Sequence, residues 1–308
     1  MKNNFVKKNL NTVLYNLKSN YKIVLLFIFI WLIAVSISFI VPLIDQTYNS
    51  KGFKKPFMAS GDLKEKINSG TTISNYSGLG EMISILTYGW IGIVINLIFT
   101  LVFINKILVS EYKNGQLAIY LSQPISRTNV FISKILSLFL FQILIIASGF
   151  ILNLIIMGVG TVSAKEFGYF IFYSLNFILV VFLLSLIFML ISINLLDKTF
   201  QLNIYCCLII GYVILNFGIY MIYIQYRDGL KALQYFKYID LKSLVINVFV
   251  YNGETQTTQL NETTQFENNK LSDINALRVS LTMILLSALT PLLWWANINT
   301  FKKLDFNV

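Results

Sequence analysis

The chain has 308 residues, of which 56% are hydrophobic and only 12% charged, and its mean hydropathy is +0.70. A soluble domain carries about 25% charged residues, so this composition excludes a protein with a fully water-facing surface. The chain has no histidine and only two cysteines, adjacent at Cys206 and Cys207. That removes His-based catalysis, His-ligated metal and any disulfide framework, and leaves the two thiols as small apolar packing groups.

Six stretches lack Asp, Glu, Lys and Arg altogether: 23–44, 83–104, 135–159, 169–195, 202–224 and 279–298. Each reaches the ~20 residues that cross a bilayer as a helix. The expected fold is an all-α integral membrane protein, one transmembrane domain over 1–308 with six spans. The first apolar run is longer than the ~7–15 residues of a signal-peptide core, so it reads as a retained span.

Ahead of span one lie Lys2, Lys7, Lys8, Lys18 and Lys22 and no acidic residue. Leu10, Val13, Leu14, Leu17 and Tyr21 recur there at helical spacing. The pattern predicts an amphipathic interfacial helix over 1–22; a basic lead-in to a membrane helix is the simpler reading. The positive-inside rule puts the N-terminus in the cytoplasm, and six spans return the C-terminus to the same side. With that orientation the inner segments carry net +9 and the outer ones net +1. The positive charge then faces anionic lipid headgroups rather than nucleic acid.

Two outer loops are long, 45–82 and 225–278. Within the second, 252–269 is rich in Thr, Gln and Asn and reads as a mobile tip, whereas Tyr235–Tyr251 is aromatic and aliphatic and is expected to lie at the interface or re-enter. Polar residues inside the spans are amides and hydroxyls. Asn96, Gln142 and Asn153 stand out, the last two about three turns apart on one face. They can form interhelical hydrogen bonds or line a path. The chain has no phosphate-binding GxxxxGK[ST] loop and no ionisable residue within a span, which argues against an ion-coupled transporter.

The segment after span two, 105–134, is the most informative. Leu117, Tyr120 and Leu121 give a short helix one apolar face. Pro124 stops that helix, and Ser126 or Thr128 can cap the helix of span three. Such an element could carry force from a partner to the spans, and it equally describes a structural turn.

This segment resembles the signature of ABC-2 type permeases, E-x-x-x-G-T-L-x-x-L-L-S-x-P-[IV]-S-R-x-x-[IVF]-x-x-[SG]-K. Glu111, Gly115, Leu117, Leu121, Ser122, Pro124, Ser126, Arg127 and Lys134 fall at the matching places. Gln116, Tyr120 and Lys113–Asn114 depart from it without changing the spacing. The ending Phe301-Lys-Lys-Leu-Asp-Phe306 and the segment Tyr235–Leu244 are also similar to the family's. The resemblance implies a permease that pairs with a second permease chain and docks a separate cytoplasmic ABC ATPase; the Ile, Asn, Lys, Phe and Tyr bias suggests a bacterial genome, hence a bacterial plasma membrane. It implies that 105–134 is the coupling loop and that Asp197 and Lys198, between spans four and five, form a second contact. ATP and magnesium would belong to the partner, leaving this chain no cofactor, and the cargo would be a peptide, drug, lipid or ion. A membrane sensor or scaffold that recruits an ATPase without moving solute is the alternative.

The orientation is testable in a variant whose Cys206 and Cys207 are alanine. Single cysteines at Ser60 and Thr258 should react with an impermeant thiol reagent on intact cells, and one at Asn129 should not. Reversed labelling would invert the topology.

Overall fold

A computed structural model describes residues 2–49, 87–117, 119, 126–159, 164–225, 240–245, 251–257, 265–271 and 276–303. Six helices in it are long and apolar enough to cross a membrane. They are α1 (Lys2–Asn49), α2 (Trp90–Ile104), α4 (Arg127–Val159), α5 (Ala164–Asn194), α6 (Thr199–Gln225) and α7 (Ala276–Lys302). Helix α2 does not stop at Ile104. It passes through a π-helical turn, Asn105–Val109, into the last α-helical turn, α3 (Ser110–Lys113). The face where α1 begins, α3 ends, α4 and α6 begin and α5 and α7 end is termed the N-face.

The segment 1–22 is not set apart as an interfacial helix. α1 is one unbroken helix from Lys2, because no glycine or proline interrupts the sequence before Pro42. On the side turned to the protein Val13, Asn16, Asn20, Val24, Phe27, Trp31 and Val35 are buried, while Leu14 and Tyr21 are exposed. Asn16 Nδ2 donates to Ser137 Oγ of α4 at 3.0 Å. Higher up, Trp31 lies against Gly149 of α4, so the two helices pack side by side and parallel.

Bilayer hydrocarbon gives helices no hydrophobic reason to associate, so close packing through small residues and buried polar contacts must do it. Both devices are present. Trp31 is fully buried in a slot between Gly92 of α2 and Gly149 of α4. A Cβ at Gly149 would stand 2.2 Å from Trp31 Nε1, and one at Gly92 would stand 1.9 Å from the Thr87 carbonyl oxygen and 3.1 Å from the indole. Phe177 of α5 stacks on the same indole with centroids 6.1 Å apart.

The polar device is a three-helix junction. Gln142 Nε2 (α4) donates to Thr100 Oγ1 (α2) at 2.8 Å and to Ser185 Oγ (α5). The direction follows from the hydroxyls, which spend their own protons on the carbonyls of Asn96 and Val181. Asn297 of α7 adds a fourth helix by donating to the Leu186 carbonyl at 3.0 Å.

On the opposite face, the described part of Tyr235–Tyr251 is Asp240–Val245 and Tyr251. Asp240 caps a short 3₁₀ turn, Leu241–Leu244, by accepting from the Lys242 amide at 3.1 Å. Its other oxygen accepts from Trp90 Nε1 at 2.6 Å, and the Lys242 ammonium sits 3.8 Å above the Trp90 ring. Asp240 and Val245 are buried, so this segment packs against the helix ends. Burial pushes the Asp240 carboxyl above the ordinary carboxylate range, against the Lys242 amide, the Trp90 indole and the Lys242 charge, which pull it down.

The stretch 252–269 is not simply a loop tip. β1 (Tyr251–Thr257) pairs antiparallel with β2 (Gln265–Leu271), Tyr251 opposite Leu271 and Gln256 opposite Phe266. Tyr251, Thr255 and Thr257 on one arm and Phe266 on the other give β-propensity that the amide-rich composition conceals. The spans themselves are all helical, as expected.

The Trp31 slot yields a direct comparison. Gly149→Ala should lower the thermal or denaturant stability of the purified chain by about 1–3 kcal/mol through overpacking. Gly218→Ala, where a Cβ meets nothing within 4 Å, should be neutral or stabilising, as helix propensity favours alanine. Equal effects at both sites would refute the slot.

Candidate functional site at the N-face

The signature residues gather where α3 folds back over the start of α4. The helix end explains the first of them. α3 closes at Gly115, whose φ of +70° is left-handed and whose amide donates to the Tyr112 carbonyl at 3.1 Å. A residue with a Cβ is strained there. Nothing lies within 4 Å of where that Cβ would be, so within this chain Gly115 serves the turn and not a tight contact.

The turn brings Glu111 onto Lys134. The Lys134 ammonium donates to both Glu111 carboxylate oxygens, with the lysine side chain 3% exposed and the glutamate 15%. The structure commits the Glu111 carboxylate to its own chain. An isolated ammonium in so dry a place would be costly, which is why an acid and a base stand at the two ends of one connection. That pairing was the available signal.

Leu117 continues the helical backbone and is fully packed, whereas Ile119 is 62% exposed. Leu121, Ser122 and Pro124 lie outside the described residues. Ser126 caps α4: its hydroxyl accepts from the Asn129 amide at 3.3 Å and its carbonyl from the same amide at 2.9 Å. Arg127, the first residue of α4, is exposed.

Two residues that sequence reasoning passed over tie this segment to the α5–α6 turn. Tyr112 donates its hydroxyl to Asp197 Oδ1, and Lys113 Nζ donates to Thr199 Oγ1 at 2.9 Å. Lys113 is a departure from the family pattern, and here it has a partner. Lys198 is exposed; its amide donates to the Leu195 carbonyl and its carbonyl accepts from the Leu202 amide, both at 3.0 Å. Asn105 in the π-turn reaches Asn203 of α6 at 3.1 Å. At the end of the chain Phe301 is buried and stacks on Phe131 of α4, with centroids 4.4 Å apart. α3, α4, the α5–α6 turn and the end of α7 therefore form one connected surface on the N-face.

A family model for ABC-2 family transporter proteins matches residues 4–293. The chain belongs to the ABC-2 transporter family. It is a multi-pass membrane protein of the permease type, and a transport subunit rather than an enzyme. No curated protein matches it significantly.

The other three candidates of this ABC-2 permease sit away from the N-face surface, inside the bundle. Gln142 is the donor of the three-helix junction. Asn96 bonds within its own helix, Nδ2 to the Gly92 carbonyl at 2.9 Å. Asn153 is fully buried beside Tyr88, and its amide makes no hydrogen bond of good geometry among the described residues. Gln142 and Asn153 thus share a helix but not a network.

The ion pair gives the sharpest test. Glu111→Lys should destabilise the permease by roughly 3 kcal/mol, because it leaves a buried ammonium facing a second one. Glu111→Lys combined with Lys134→Glu should recover most of the loss in a thermal melt. No recovery would mean that the pair does not hold α3 on α4.

Proposed function

We propose that this chain is the permease subunit of an ATP-driven exporter in a bacterial plasma membrane, with both termini in the cytoplasm. A separate ABC ATPase, which carries ATP and magnesium, docks on the N-face. A second permease chain, identical or not, completes the transporter, and the cargo is a peptide, drug, lipid or ion. Family membership and the net +9 of the N-face segments support this reading.

The observation that carries it is the Tyr112–Asp197 hydrogen bond. It joins the two connections that a docking ATPase would press upon, 105–134 and the α5–α6 turn. Pressure on either is then delivered to both, and through Lys134–Glu111 to α4. A loop serving only as a turn between spans needs no such tie to a second loop. Tyr112 is a positioning residue in this scheme; the ATPase contacts would come from exposed groups such as Ile119, Arg127 and Lys198.

The chain alone should neither bind nor hydrolyse ATP, and an ATPase subunit should co-purify with it in mild detergent. Tyr112→Phe removes a hydrogen bond to a charged group, about 1.5 kcal/mol. It should cut permease-stimulated ATP hydrolysis and transport together, by roughly tenfold, with insertion unchanged. Saturable hydrolysis by the chain alone would overturn the proposal. ATPase recruitment with hydrolysis but no solute movement would favour the scaffold instead.

A further inference from the structure

From Trp90 to Lys113 the chain runs as one helix with no glycine or proline after Gly92, and one turn of it is irregular. The Ser110 amide donates to the Asn105 carbonyl, five residues back instead of four. The turn Asn105–Val109 therefore holds one residue more than an α-helical turn. Asn105 is tied to Asn203 of α6 at 3.1 Å, which fixes where the turn begins. Lys106, inside the turn, is exposed, so the extra residue is not kept for its packing.

Such turns are rare, well under 1% of residues, and this one has a reason in the register of α3. With an α-helical turn in its place, every residue of α3 would advance one position and rotate by about 100°. Ser110 would stand where Glu111 stands and leave the buried Lys134 ammonium without a counter-charge. Glu111 would take the place of Tyr112, beside the Asp197 carboxylate. An ammonium buried against a hydroxyl and two carboxylates side by side are both costly. The ion pair is what keeps the extra residue in the helix.

We infer that the π-turn is a register switch set by the Glu111–Lys134 pair. While the pair is intact, α3 stays in the register that puts Tyr112 on Asp197 and Lys113 on Thr199. When the two charges are taken out, the turn closes to α-helical hydrogen bonding and α3 advances by one residue. Both contacts to the α5–α6 turn then break together. A basic group of a docked ATPase that drew Glu111 off Lys134 would throw the switch; that consequence rests on the exporter reading, whereas the switch belongs to this chain.

The full chain is reconstituted alone in vesicles of phosphatidylethanolamine and phosphatidylglycerol, with Cys206 and Cys207 replaced by alanine. Spin labels are attached at Ile98→Cys on α2 and Asn114→Cys at the end of α3, both exposed positions that helical rise sets about 24 Å apart. Glu111→Gln with Lys134→Met removes both charges at similar shape, an exchange that buried pairs tolerate. It should lengthen the distance between the labels by roughly 4 Å, from the rise of one residue and the rotation. Deleting Lys106 takes out the spare residue. In the neutral-pair variant this deletion should return the distance to its wild-type value, and with the pair intact it should leave distance and fold unchanged. An unchanged distance in the neutral-pair variant, a change of distance or fold that the deletion does not reverse, or loss of the folded chain on the deletion alone would each overturn the inference. Failure of the exporter reading would show instead as the absence of a bound ATPase, which leaves these distances as they are.

Discussion

The Lys134 ammonium, buried at the edge of the membrane-crossing part of α4, cannot be left without a counter-charge, and the arrangement of the N-face follows from that need. Glu111 supplies the charge from the far side of the α2–α4 connection. To reach it, the chain must end α3 at Gly115 and double back. Once it does, Tyr112 and Lys113, on the same turn as Glu111, come within reach of Asp197 and Thr199. A buried ion pair seldom adds much net stability, because desolvation offsets attraction. Its contribution here is to specify geometry: alternatives that separate the two charges are expensive.

A second constraint acts above this level. Apolar side chains gain nothing by leaving lipid for protein, so the bundle depends on shape and on polar contacts. Trp31 between two glycines is the shape term, and the Gln142 junction is the polar one. They differ in how they can yield. The indole slot is rigid, with atoms on both sides that cannot move apart without shifting backbone. The junction consists of three side chains whose hydroxyls keep their intrahelical bonds whether or not Gln142 is present. Both reach α5 as well, through Phe177 on the indole and Ser185 in the junction.

The spans were legible because the bilayer writes them into the sequence as runs without charge, and 139 such positions cannot arise from a soluble core. Which face of each helix turns inward was not legible. Over 1–22 the apolar pattern of α1 fits a face on lipid, and it could not say that Asn16 and Asn20 are buried while Leu14 and Tyr21 face out. Trp31 announces nothing on its own; its slot is made by glycines 61 and 118 residues further along. Among the signature residues, Glu111 and Lys134 were singled out as separate letters of a motif. Their pairing was open to inference from the cost of a lone charge at a membrane edge. Tyr112 was not, because its partner is 85 residues away in a turn whose position depends on two intervening spans.

The same reasoning separates two kinds of polar residue inside the bundle. Gln142 donates both its amide protons to neighbouring helices, so its replacement removes a join between three elements. Asn153 is as deeply buried and joins none among the described residues. A buried amide without hydrogen bonds costs about 1–3 kcal/mol, and a helix bundle has no structural return for that cost. Asn153 lies beside Tyr88, whose hydroxyl donates to Ser174 Oγ at 3.0 Å, since the serine's own proton goes to the Phe170 carbonyl. Among the described polar residues in the spans, the Gln142 amide nitrogen is therefore accounted for by packing, whereas the amides of Asn153 and Asn216 join no other helix by a hydrogen bond of good geometry. A group kept at a loss in the interior of a transport subunit is where function, rather than stability, has to explain the choice of residue.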